Sequence, residues 1–194
     1  RHMPRTLVSS NRAQILKFVA DCGGKGVIKP LYGAGGSGVM LLRTDDKNAV
    51  AICETLTQDG QHLAMVQEYL PAVTAGDKRV LVLDGEVLGA INRIALASDF
   101  RSNIHVGGRV EKCDVTPAER AIIADIAPRL KEDGLVFVGL DFIGEKITEV
   151  NVTSPTGIQE LSRHVGEDVA AKVIRWVEVR TGDMRPPLAS IPVV

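Results

Sequence analysis

The stretch Val136-Phe137-Val138-Gly139-Leu140-Asp141-Phe142-Ile143-Gly144-Glu145-Lys146-Ile147-Thr148-Glu149-Val150-Asn151 decides the fold and points to the chemistry. Two apolar runs flank the turn dipeptide Gly144-Glu145, so the segment reads as a hairpin joining 136–143 to 146–151. Three carboxylate or carboxamide side chains interrupt these strands: Asp141 on one arm, Glu149 and Asn151 on the other. Glu149 and Asn151 are two residues apart and therefore share a face of their strand. Oxygen ligands converging from paired strands suit a hard cation such as Mg²⁺, which takes a few carboxylates together with phosphates. A merely solvated polar face would instead bring more than one basic partner among these residues.

Working outward, a strand over 78–83 turns at Asp84-Gly85 into a return strand over 86–93, a second hairpin signal. A polar, glycine-containing segment over 97–109 follows, long enough to be a functional loop or partly disordered. Thr116-Pro117-Ala118-Glu119 opens a helix to about residue 132, with Thr116 as N-cap, Pro117 at the first position and Glu119 closing the capping box. Two helices near 156–163 and 167–180 precede a proline-punctuated tail, expected to be extended. Towards the N-terminus, helical spacing over 11–22 ends at Gly23-Gly24. A strand over 26–30, a glycine-rich turn, a strand over 38–42, a helix over 49–57 and a strand over 63–67 complete the chain. The class is α+β, in two lobes: 1–70, then 71–185, with 186–194 as a tail.

Composition narrows the partners. The 194 residues are 45% hydrophobic and 24% charged, with a net charge of -1. That suits a soluble globular chain and gives no electrostatic reason to expect nucleic acid or an anionic membrane. An aromatic content of 4% also argues against a base-stacking surface. No apolar run is long enough to span a bilayer. Cys22, Cys53 and Cys113 lie far apart and form no CxxC pair, so reduced thiols in a cytoplasmic protein are expected. The four histidines show no metal-ligand spacing. His2-Met3 reads as a tag scar, with Met3 as the first native residue.

Other motifs point to phosphate. Gly33-Ala34-Gly35-Gly36-Ser37-Gly38 lies between two strands, where its backbone N–H groups can approach phosphate oxygens. It is neither a Walker A motif nor a dinucleotide fingerprint, because a strand rather than a helix follows. Lys29 ends the strand before this flap, and a lysine in an apolar strand either snorkels or meets an anion. Arg79, Arg93, Arg101 and Arg109 flank the 97–109 segment with Asn103 and Gly107-Gly108, a set suited to bidentate contact with carboxylates and phosphates.

In order along the chain, Ile28-Lys29-Pro30-Leu31, the glycine flap, Gln67-Glu68-Tyr69-Leu70-Pro71, Gly76-Asp77-Lys78-Arg79-Val80, Val138-Gly139-Leu140-Asp141 and the run from Thr148 to Thr156 resemble prokaryotic glutathione synthetase, of the ATP-grasp superfamily. The resemblance runs from about Pro4 to about Arg180. It implies the ATP-grasp fold, with ATP between two α+β lobes whose sheets are mainly antiparallel. Lys29 and the flap at Gly35, Gly36 and Ser37 would hold phosphates. Gln67, Tyr69 and Leu70 would line the adenine hinge, with Asp77 on the ribose side. Arg79 would reach the transferred phosphate. Arg93, Arg101 and Asn103 would contact substrate and phosphoryl group, and Ser154-Pro155-Thr156 would border the acceptor pocket. Asp141, Glu149 and Asn151 would hold Mg²⁺, or Mn²⁺ in its place.

The implied reaction joins glycine to γ-glutamylcysteine through an acyl phosphate. Such chemistry rests on positioning and charge stabilisation rather than on a covalent nucleophile. The resemblance also implies an N-terminal domain and an upstream phosphate-binding lysine ahead of this stretch. A homo-oligomer or a separately supplied N-terminal domain is therefore an expected partner, besides ATP and small peptide or amino-acid substrates. Ser102 and His105-Val106 depart from the smaller residues common in the family. Three readings stand: a ligase core, a nucleotide-binding module without ligation, and a ligase for another acid and amine.

Overall fold

In a strand, side chains alternate between two faces, and that alternation sorts this chain into two sheets with a shared cleft. The computed structural model describes residues 1–32, 35–95 and 109–182. The first sheet has the order β1-β4-β2-β3, formed by β1 (Thr6–Ser9), β2 (Lys25–Pro30), β3 (Met40–Arg43) and β4 (Ala64–Glu68). All its pairings are antiparallel. Helices α1 (Arg12–Asp21) and α2 (Ala49–Thr57) supply Ile15, Val19, Ala49 and Cys53 to its core, against Ile28, Leu42, Ala64 and Val66. Because Ile28 points into that core, Val27 and Lys29 point the other way.

The second sheet has the order β7-β6-β5-β8-β9, again antiparallel: β5 (Asp77–Leu83), β6 (Glu86–Ile94), β7 (Arg109–Cys113), β8 (Phe137–Ile143) and β9 (Lys146–Asn151). One face carries Val80, Val82, Val138, Leu140 and Phe142 and packs on α3 (Pro117–Glu132) through Ile122, Ile123 and Leu130. The other face carries Leu81 and Ile91 and packs on Leu161 of α4 (Ile158–Val165) and Val169 of α5 (Val169–Thr181). That second face therefore also receives Asp77 and Arg79 from β5, Arg93 from β6, and Gly139 and Asp141 from β8.

The capping box of α3 forms as the sequence indicates. Thr116 Oγ1 accepts from the Glu119 N–H at 3.2 Å, and Glu119 Oε2 accepts from the Thr116 N–H at 2.8 Å. Lys78 Nζ reaches the same Glu119 oxygen at 2.8 Å, tying the start of the helix to β5.

Two strands escaped the reading of hydrophobic pattern. β1 is four residues of mixed polarity, and pairing with β4, Thr6 opposite Gln67, makes it a strand. β7 is a charged edge strand beginning at Arg109, which sequence had assigned to the loop. The segment Pro71–Ala75 forms a short 3-10 helix between the sheets. The strand expected at 38–42 starts later, at Met40, and the helix expected near 156–163 starts at Ile158. The tail from Pro186 and most of the 97–109 segment lie outside the described residues.

Candidate functional site

Strand register builds a charged cluster on the second sheet. Asp77 lies opposite Arg93, Arg79 opposite Asp141, and Asp141 opposite Glu149. The Asp141 carboxylate is gripped twice by Arg79, through Nε to Oδ1 and through Nη2 to Oδ2 at 2.8 Å. Arg93 Nη2 lies 2.8 Å from Asp141 Oδ2 and 2.8 Å from Asp77 Oδ2. Arg79, Arg93 and Asp141 are 5%, 3% and 2% exposed, so these are buried ion pairs rather than surface ones.

The same burial tunes the acids in opposite directions. At Asp141 burial opposes ionisation, but the hydrogen bonds of Arg79 and the charge of Arg93 outweigh it and hold the carboxyl below its ordinary range. At Asp77 burial prevails over the attraction of Arg93, and the acid is pushed up to about 6. Glu149 is raised by burial and then by the negative charge of Asp141, its hydrogen-bond neighbour.

A cleft of about 490 Å³ opens beside the cluster, a size suited to a small ligand. Its walls carry Lys29, Gly35, Gly36, Ser37, Gln67, Tyr69, Leu70, Asp77 and Glu149. Val27, Val39, Met65 and Ile147 add apolar surface, and Met3 and Pro4 of the N-terminal segment line it as well. Burial lowers the pKa of Lys29, while the charges of Glu149, Asp77 and Asp141 act against that. Lys25 Nζ stands 5.8 Å from the centre of the Tyr69 ring. A cavity of similar volume lies against α5 around Trp176 and carries none of the motif residues.

Every nucleotide-contact position read from the sequence thus lines one cleft. Arg79, Arg93 and Asp141 do not line it; they are buried beside it, reaching it through Asp77 and Glu149. Asn151 Nδ2 donates to Gly139 O at 3.4 Å. The basic partners of Asp141, which the hairpin alone did not reveal, come from other strands. Arg109 is exposed and pairs with Glu111, away from the cleft. Arg101, Asn103, Ser102, His105 and Val106 lie outside the described residues. Among the described residues no three His, Cys, Asp or Glu side chains cluster for a metal, so the cation set depends on the Asn151 amide.

Sequence reading missed Val27, Val39, Met65 and Ile147 because apolar strand residues look like core. Alternation offered one signal: Val27 shares the face of Lys29.

The donor chemistry suits a nucleotide and a hard cation. Among the described residues, Asp77 Oδ1 is a buried side-chain oxygen with no hydrogen-bond partner, an acceptor at the cleft wall suited to a hydroxyl donor. Glu149 and Asn151 carry oxygen donors, the type preferred by Mg²⁺, with the Asn151 amide nitrogen turned to Gly139 O, while both Asp141 oxygens are held by Arg79 and Arg93.

Residues 1–166 match the family model for prokaryotic glutathione synthetase, ATP-grasp domain. The glutathione synthetase of Nostoc sp. is 48% identical over 176 residues, covering 91% of this chain and 54% of that protein. The chain spans about half the length of the curated relatives it matches. Among solved structures, the ATP-grasp ligase PsnB, complexed with minimal precursor, Mg and ADP, superposes with a TM-score of 0.66 at 16% identity, over 93% of this chain and 54% of that one. D-alanine–D-alanine ligase from Bacillus anthracis, complexed with ATP, gives a TM-score of 0.64 at 15% identity, over 94% of this chain and 62% of that one. At such identities these structures speak for the fold.

Proposed function

The chain belongs to the prokaryotic glutathione synthetase family, of which it carries the ATP-grasp domain, and on that premise we propose that it is the nucleotide-binding and catalytic core of a carboxylate–amine ligase. The observation that carries this reading is the convergence of Lys29, the flap, the Gln67–Leu70 hinge, Asp77 and Glu149 on one cleft. The substrates proposed are ATP, γ-glutamylcysteine and glycine, and the two sheets serve as lid lobe (1–70) and catalytic lobe (71–185).

Each residue then has a physical task. The apolar walls at Val27, Met65 and Ile147 take the flat base and exclude water from it. Asp77 Oδ1 accepts from a ribose hydroxyl, which supplies its missing partner. Lys29 and the backbone N–H groups of Gly35, Gly36 and Ser37 hold phosphates, a role that needs the lysine charged. Lys29 is drawn to that state by the acids around it and further by a phosphate. Asp141, Glu149 and Asn151 would hold Mg²⁺, or Mn²⁺ in its place, and a bound cation supplies charge neutralisation of the phosphates. Arg79 and Arg93, fixed before any ligand arrives, stabilise charge on the phosphoryl group as the substrate carboxylate takes it. Arg101 and Asn103 are assigned to the substrate side. Amine attack on the resulting acyl phosphate breaks its C–O bond, releases inorganic phosphate and a proton, and completes the amide.

The test is calorimetric titration of ATP with Mg²⁺ into wild type, Lys29→Met and Glu149→Gln, followed by ADP release with γ-glutamylcysteine and glycine. Loss of one charge-assisted contact should weaken binding about 10- to 100-fold in Lys29→Met. Glu149→Gln should lose the dependence on Mg²⁺. Binding with no substrate-dependent ADP release would leave a nucleotide module rather than a ligase. Absence of any ATP binding would sink the reading altogether.

A further inference from the structure

Arg79 is the most constrained long side chain of the cluster, and the constraint comes from a residue with no side chain. Arg79 lies opposite Asp141, so its stem crosses β8 over Gly139, two residues earlier on the same face. A Cβ on Gly139 would come 2.8 Å from Pro155 Cβ, closer than packed carbons allow, and 3.0 Å from Arg79 Cδ, which would have to give by a few tenths of an ångström. The stem is thus walled by the bare backbone of Gly139 and by the Val152–Gly157 segment folded over it. A Cβ on Gly157 would stand 3.7 Å from Arg79 Cγ and 2.8 Å from Ile91 Cδ1, so that segment is also pressed close. Beyond this slot, Nε and Nη2 sit on Asp141, while Nη1 donates to Thr156 O at 3.2 Å and Thr156 Oγ1 at 3.4 Å.

We propose that Gly139 is a positioning residue: its missing side chain opens the slot that fixes Arg79, and with it the guanidinium charge that acts on the terminal phosphate from beside the cleft. This rests on the reading of the cleft as a nucleoside triphosphate site. Preorganised charge is effective because no rotamer freedom is left to lose on binding. A single methyl at Gly139 must displace Pro155, Arg79 or both. Gly139 therefore acts through Arg79, not on the ligand.

The test compares affinities of Mg·AMPPNP and Mg·ADP by calorimetry for wild type, Arg79→Lys, Gly139→Ala and the double variant. The ratio of the two affinities reports the stabilisation of the terminal phosphate, and a general loosening of the cleft leaves it unchanged. Wild type should prefer AMPPNP, and Arg79→Lys should lose about tenfold of that preference. Gly139→Ala should lose a similar factor while keeping its ADP affinity, and the double variant should be no worse than Arg79→Lys. If Gly139→Ala keeps the preference that Arg79→Lys loses, or if the two losses multiply in the double variant, the proposal is overturned. It is overturned too if wild type binds both nucleotides equally. If wild type binds neither, the functional reading falls first and this proposal with it. Should Gly139→Ala fail to fold, the wild-type crystal structure with Mg·AMPPNP decides. Arg79 lying over Gly139 with its guanidinium held on Asp141 beside the terminal phosphate supports the proposal, and Arg79 swung out of the slot refutes it.

Discussion

Replacing Asp141 with asparagine removes one negative charge from beneath two guanidinium groups that are 5% and 3% exposed. Arg93 would keep Asp77, 2.8 Å away, but Arg79 would keep only neutral acceptors, the amide oxygen at position 141 and Thr156 O. Removing one partner of a buried ion pair costs roughly 3–5 kcal/mol. Since Arg93 retains a carboxylate, the lower end, about 3 kcal/mol, is the expected loss. For a chain of this size that lowers the melting temperature by roughly 6–12 °C. In urea the midpoint should fall by roughly 1–2 M. The single tryptophan reports on this sheet, because Trp176 Nε1 donates to Asp84 at the β5–β6 turn. Urea titration followed by Trp176 fluorescence is therefore the assay. Glu149→Gln is the companion: its acid is already raised by burial and by Asp141, so the neutral amide should leave stability within about 1 kcal/mol. An Asp141→Asn midpoint equal to wild type, or an equal loss in Glu149→Gln, would refute the claim that the ion cluster holds the sheet together. The same contrast makes Glu149→Gln, not Asp141→Asn, the cleaner variant for testing cation binding.

Asp77 sets a pH dependence of the opposite kind. Its folded acid titrates near 6 against an ordinary 3.8, so the native state binds more protons than the unfolded one between those values. Its contribution should therefore weaken stability by roughly 2–3 kcal/mol as pH rises through that window. Asp77→Asn should flatten this dependence in urea titrations at pH 4, 5, 6 and 7, and an unchanged slope would contradict it. Asp141, held low, contributes stability that is lost as pH falls below about 4. At the start of α3, Thr116→Ala should cost about 1 kcal/mol, a fall of roughly 2–4 °C in melting temperature, while Thr116→Ser should lose much less. Equal losses in both variants would mean that the hydroxyl bond to the Glu119 N–H is not what stabilises the helix start.

Local signals carried much of this protein in its sequence. The Asp84-Gly85 and Gly144-Glu145 turns, the Thr116–Glu119 capping box and the 49–57 helix depend on neighbours a few residues apart, so the chain declares them directly. Lys29 was legible for a related reason, as a charge that closes an apolar strand beside a glycine flap, whereas Gln67, Tyr69 and Asp77 were named only through the family resemblance. β1 and β7 were not legible, because a short edge strand becomes a strand by pairing with a partner far along the chain. Nor did the hairpin reveal that Asp141 is shared by Arg79 and Arg93. The three residues lie on three different strands, and only the antiparallel order β6-β5-β8 makes them neighbours. Composition and spacing thus marked the flap beside Lys29 and the Asp141, Glu149 and Asn151 hairpin, and the family resemblance supplied the remaining positions. Tertiary structure decided which charges meet, how deeply they are buried and whether the fit over Gly139 is tight, because those depend on separations in space that strand pairing alone sets.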